Sequence, residues 1–159
     1  MELLERIEII IKRFTEKNIL VAIAESCTGG YISHMITNIP GASNVFERGV
    51  ISYGNQAKID ILNVDPETIE NFGAVSEEVA KQMAYGVRIM SRPCNLGIGV
   101  TGIAGPSGAT PEKPVGLVYI GFSTEKENIV EKQIFKTDRI TFKKLVLENI
   151  VQFLENYST

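Results

Sequence analysis

Glu25-Ser26-Cys27-Thr28-Gly29-Gly30 follows an apolar run and precedes an apolar periodic stretch, so a serine and a cysteine sit where a strand gives way to a helix. A hydroxyl at such an elbow is exposed, and the backbone amides behind it can stabilise a developing oxyanion. The same serine can equally be a helix N-cap, with Gly29 and Gly30 easing the turn. Cys27 is the rival nucleophile, but without an imidazole to activate it the thiol reads as a small buried side chain, and Thr28 adds a hydroxyl. A second segment, Tyr53-Gly54-Asn55-Gln56-Ala57-Lys58, sets a lysine beyond a sharp turn from a tyrosine. Burial disfavours the ammonium form, so Lys58 can serve as base to a serine; the competing reading is a surface lysine and a strand-capping tyrosine. A third, Thr101-Gly102-Ile103-Ala104-Gly105-Pro106-Ser107-Gly108, offers backbone N–H groups and hydroxyls to a phosphate or ribose, or is an ordinary irregular crossover. It is no Walker loop, because no Lys-Ser/Thr follows its last glycine. Arg139 could supply a cation to a phosphate, or could simply be solvated.

Composition narrows the chemistry. The chain has 159 residues, 44% apolar and 22% charged, which predicts a single soluble globular domain over residues 1–159. A net charge of −3 gives no reason to expect a nucleic-acid partner. Two cysteines, Cys27 and Cys94, form no Cys-x-x-Cys pair, and His34 is the only histidine. That leaves too few ligands for a hydrolytic zinc site and no imidazole for a Ser-His triad; His34 reads as a helix-surface or packing residue. No metal and no cofactor are expected, and any mechanism must use Ser, Thr, Cys, Lys, Tyr and carboxylates. The absence of a leader pattern or bilayer-length apolar run predicts a cytoplasmic protein without a membrane partner.

The elements that must position these residues follow from periodicity. Leu3, Leu4, Ile7, Ile10, Ile11 and Phe14 recur at helical spacing. Ile19–Ala24 is apolar on both faces, as in a buried central strand. Val45–Tyr53 reads as a second strand, broken at Gly54-Asn55 and followed by a short helix through Ile59 and Leu62. Ser76 caps a helix carrying Val79, Met83, Val87 and Met90 on one face. Leu96, Ile98 and Val100 alternate with Gly97 and Gly99, so some element must press close against that strand. Strands at Gly116–Phe122 and Ile129–Phe135 form a hairpin, and Asp138 caps a last amphipathic helix. Alternating helices and strands, then a hairpin and a closing helix, predict an α/β fold: a three-layer α/β/α sandwich with a mixed central sheet. Ligands in such sheets bind beyond the carboxyl ends of strands, where all three unusual segments fall.

Taken together, Ala24-Glu25-Ser26-Cys27-Thr28-Gly29-Gly30, Tyr53-Gly54-Asn55-Gln56-Ala57-Lys58, Gly73-Ala74-Val75-Ser76-Glu77, Thr101-Gly102-Ile103-Ala104-Gly105-Pro106 and Lys113-Pro114-Val115-Gly116 resemble, in that order, the CinA C-terminal domain family. The likeness runs from Ile7 to about Phe153. Active members are nicotinamide-nucleotide amidohydrolases, so the resemblance implies a mononucleotide substrate, deamidation of nicotinamide mononucleotide to the nicotinate form, and homo-oligomeric association. It implies Ser26 as nucleophile with Tyr53 and Lys58 as its base. Cys27, Thr28, Gly29, Gly30, Thr101, Gly102, Gly105 and Arg139 are the expected substrate contacts. Two departures stand out: Gly54 replaces a serine usual after the tyrosine, and Gly108-Ala109-Thr110 replaces a double glycine before the threonine. The resemblance implies none of the chemistry of the larger N-terminal domain of longer members. A non-catalytic nucleotide-binding or protein-interaction module, and an amidase for another small amide, are the alternatives.

Overall fold

The computed structural model describes residues 1–90 and 92–159. Its elements run α1 (Leu3–Glu16), β1 (Val21–Glu25), α2 (Tyr31–Thr37), a 3-10 turn (Ala42–Asn44), β2 (Phe46–Ile51), α3 (Asn55–Leu62), α4 (Pro66–Phe72), α5 (Glu77–Ile89), β3 (Leu96–Gly102), β4 (Leu117–Ser123), β5 (Asn128–Ile134) and α6 (Arg139–Asn156). The sheet order is β2-β1-β3-β4-β5. β2, β1 and β3 are parallel, whereas β4 and β5 join in antiparallel pairing, so the sheet is mixed as expected.

Side-chain parity divides the layers. Val21 and Ile23 of β1, with Leu96, Ile98 and Val100 of β3, face α1, α2 and α6; Ala22 and Ala24 face α5. On the α5 side the floor is glycine. A Cβ at Gly97 would lie 2.1 Å from the Ala84 carbonyl oxygen, one at Gly99 2.5 Å from Ala84 N, and one at Gly121 2.5 Å from the Ala80 carbonyl oxygen. The close approach read from the Gly97/Gly99 alternation is therefore α5. The far side of that helix repeats the device: a Cβ on Gly86 would lie 2.2 Å from the Leu62 carbonyl oxygen at the end of α3.

Caps start the helices where expected. Ser76 Oγ accepts from Val79 N, and Asp138 accepts from Ile140 N and Thr141 N. Helix α4 is an addition to the sequence reading. It buries none of its residues, so it writes no apolar stripe, and only its Asp65 cap and Pro66 mark it. Among the described residues no helix is long and apolar enough to cross a membrane.

Candidate active site

The carboxyl ends of β1 and β2 lie side by side, and Ser52 N donates to the Glu25 carbonyl at 2.8 Å. This brings Ser52 and Tyr53 against Ser26. Gly54 then turns the chain into α3, whose first turn carries Lys58 back over the strand ends. Lys58 Nζ lies 3.0 Å from Ser26 Oγ and donates to the carbonyls of Ser52 at 2.9 Å and Tyr53 at 3.1 Å. Lys58 is 1% exposed and Ser26 8%. Among the described residues no carboxylate comes within salt-bridge distance of the amine. Burial pushes Lys58 below its ordinary value, only partly opposed by the Cys27 thiol. A neutral amine spends its two N–H groups on the two carbonyls, which leaves its lone pair for the Ser26 hydroxyl proton. The pair can therefore do what a base-activated nucleophile requires.

Tyr53 enters this contact through its backbone carbonyl and not through its phenol. Its side chain is 61% exposed, and its phenol makes no hydrogen bond among the described residues; its carbonyl holds the Lys58 amine. The reason is strand alternation: Ile51 and Tyr53 point out, while Ser52 between them is fully buried. Cys27 is buried, and desolvation pushes its thiol up to about 12, away from nucleophilic use. The Thr28 hydroxyl is spent on Glu25 Oε2 at 2.6 Å. Gly29 and Gly30 have φ of +59° and +97°, a left-handed bend that folds the turn back over Glu25.

Two residues of this region escape the sequence reading. Glu25 is completely buried and accepts five hydrogen bonds, from Thr28 Oγ1, Gly30 N, Ile32 N, Ser33 N and Ser33 Oγ. A glutamate ending a strand carries no distinguishing signal. Lys143 of α6 lies beside Gly29, 3.7 Å from where a Cβ there would stand. Its i, i+4 spacing from Arg139 was the available clue.

The glycine loop is built differently. Thr101 Oγ1 donates to the Ala74 carbonyl at 2.7 Å, so its hydroxyl ties β3 to the start of α5. Gly102 is required by the Leu117 carbonyl, 2.8 Å from where its Cβ would stand. Gly105, at φ +80°, would drive a Cβ to 2.3 Å from Val115 Cγ1. Arg139 donates to the Gly105 carbonyl within the loop, and Lys113, beyond it, donates to that of Phe72. The loop does stand beside the Ser26 turn, joined through Arg139 and Lys143 on one face of α6. No group of three or more His, Cys, Asp or Glu residues suited to a metal occurs among the described residues. A groove of about 830 Å³ lies elsewhere, between β5 and α6 at the opposite end of the sheet, and shares no residue with this site.

Comparison with known proteins identifies the family. Residues 4–158 match the family model of the CinA C-terminal domain. Competence-damage inducible proteins of Caldicellulosiruptor saccharolyticus and Alkaliphilus metalliredigens are 48% and 50% identical over 94% and 92% of this chain. The matched region is 37% and 36% of their lengths, so the chain spans little more than a third of these relatives. Among solved structures, the competence/damage inducible protein CihA of Agrobacterium tumefaciens superposes with a TM-score of 0.91 at 39% identity, covering 96% of this chain and 93% of that one. A CinA superfamily protein of Escherichia coli gives 0.91 at 26% identity, covering 97% and 89%. The family match over residues 4–158, the identity to these relatives and the shared fold show that the chain belongs to the CinA C-terminal domain family.

Proposed function

We propose that the chain hydrolyses the carboxamide of nicotinamide mononucleotide, releasing ammonia and the nicotinate mononucleotide. The observation that carries this reading is the buried 3.0 Å contact between Ser26 Oγ and a Lys58 that has no carboxylate partner and whose charged form burial disfavours. Ser26 Oγ attacks the carboxamide carbon while its proton passes to Lys58 Nζ. Backbone amides of the turn receive the oxyanion. As the carbon–nitrogen bond breaks, Lys58 returns the proton to the leaving nitrogen. A water molecule then attacks the acyl-Ser26 ester by the same route, and the carboxylate leaves with Ser26 restored.

Substrate charge fits the surroundings. A pyridinium near Lys58 further disfavours its ammonium form. Arg139 and Lys143, one helical turn apart on α6 beside the Ser26 turn, supply cations for the phosphate. The Tyr53 ring, on the rim at 61% exposure, is a face for the substrate rather than a proton carrier.

Incubating the purified protein with nicotinamide mononucleotide and measuring ammonia and product by chromatography tests the reading. The wild type is expected to form both products in equal amounts, with or without a chelator, and Ser26→Ala to form neither. No ammonia from the wild type, or ammonia from another small amide alone, overturns the substrate; turnover by Ser26→Ala overturns the nucleophile.

A further inference from the structure

Every buried amide must find an acceptor or a reason to lack one. Ser26 N donates to the Val100 carbonyl at 3.1 Å, Gly29 N to Ser26 O at 3.0 Å and Tyr31 N to Thr28 O at 3.1 Å. Gly30 N, Ile32 N and Ser33 N all go to the Glu25 carboxylate, at 3.0, 3.2 and 2.8 Å. From residue 26 to residue 33, only the N–H groups of Cys27 and Thr28 donate to no other residue among the described residues. They directly follow the nucleophile, and the turn that carries them is held by Glu25.

We infer that Cys27 N–H and Thr28 N–H form the oxyanion hole and that Glu25, completely buried one residue before the nucleophile, is its positioning residue. The inference rests on Ser26 being the nucleophile proposed above. Glu25 touches no reacting atom. It gathers the amides and hydroxyls of the returning chain onto two oxygens, and by doing so keeps the two free amides from closing onto the same carboxylate. The 2.6 Å bond from Thr28 Oγ1 is the link nearest the hole, because it fixes the residue whose amide is one of the two donors. A neutral glutamine cannot do the same, since its NH2 would face N–H and O–H donors. A valine at position 28 keeps the size and loses the bond, while a serine keeps the bond.

A small alkyl fluorophosphonate tests this without assuming a substrate. Ser26 Oγ attacks phosphorus, its proton passes to Lys58, fluoride leaves, and the phosphoryl oxygen must sit in the hole. The rate of Ser26 labelling, read by intact-protein mass spectrometry, is compared across wild type, Thr28→Ser, Thr28→Val and Glu25→Gln. Kinetics on nicotinamide mononucleotide run alongside. Displacement of an oxyanion donor costs up to about 10²–10³-fold, so Thr28→Val is expected to label about tenfold more slowly and Glu25→Gln about 10²-fold. Thr28→Ser is expected within about threefold of wild type, with kcat tracking the labelling rates and KM unchanged within about threefold. Wild-type labelling rates in Thr28→Val, or a Thr28→Ser as slow as Thr28→Val, overturn the inference, as does an unlabelled Ser26 in the wild type. If Glu25→Gln fails to fold, the two Thr28 variants decide. A labelled wild type that releases no ammonia from nicotinamide mononucleotide removes the substrate reading and leaves the labelling series to judge the positioning residue.

Discussion

The two glycine-bearing loops at the carboxyl end of the sheet use the same residue types for opposite ends. In the 26–30 turn the left-handed Gly29 bends the chain in relatively open space, 3.7 Å from Lys143, while Gly30 lies closer to its neighbour, 3.0 Å from Ile51 Cδ1, and the bend leaves two amides that donate to no other residue beside a nucleophile. In the 101–108 loop, the glycines at 102 and 105 are demanded by packing, against Leu117 O and Val115, and the hydroxyl of Thr101 is consumed by Ala74. A Gly-rich segment thus signals a tight backbone but not which side of it does the work. That is decided by whether donors are left over once packing is complete.

The sharpest way to break the comparison is at the residue that makes the first loop reactive. Lys58→Arg keeps a cation but cannot deprotonate, so kcat is expected to fall by at least about 10³-fold with the mononucleotide still bound. In the wild type the rate should rise with pH through the lowered pKa of Lys58. Stability follows the same group. Below that pKa both folded and unfolded chains carry the proton, and the burial penalty is full. Between it and the ordinary value of 10.5 the unfolded chain binds more protons, so stability rises with pH. Cys27, pushed up to about 12, works against this above its own ordinary value of 9.0. The difference between wild type and Lys58→Met in urea melts across pH isolates the lysine; a flat difference curve would show that its burial costs nothing.

Glycine replacements sharpen the contrast between the loops. Gly105→Ala faces both positive φ and the Val115 side chain, and should lose about 1–3 kcal/mol of stability, measured by denaturant unfolding. Gly29→Ala pays only the left-handed conformation, about 1–2 kcal/mol at most, yet should lose far more kcat because its bend carries the free amides. Equal loss of activity per unit of stability at both sites would erase the distinction. The smallest effects belong to the polar side-chain groups that the mechanism does not use. Cys27→Ala and Tyr53→Phe should each keep kcat within about threefold, since a buried high-pKa thiol is not the nucleophile and the phenol makes no hydrogen bond to Lys58.

These differences also mark where sequence stops being informative. The layers, the mixed sheet and the meeting of Ser26 with Lys58 are legible because each residue lies just past a strand whose pattern is unambiguous. The role of Tyr53 is not, because it depends on the parity with which β2 is left: one residue's shift exchanges the phenol for the Ser52 side chain. Lys143 meets Gly29 only through the way α6 crosses α2, which no local pattern encodes. Glu25 looks like the polar end of an apolar strand, and its five donors become visible only once the turn returns to it. Helix α4, buried nowhere, has no periodicity to read.

The glycine floor has a consequence for how this site can change over generations. At Gly97 and Gly99 the nearest atom to the sheet is a backbone atom of α5, and at Gly86 the nearest atoms to α5 are backbone atoms of Leu62 at the end of α3. Most proteins adjust a catalytic spacing by exchanging one core volume for another nearby, a route with many small steps. At the glycine contacts themselves there is no volume to exchange, so a lineage can shift the sheet, α5 and α3 relative to one another only by working around those fixed points.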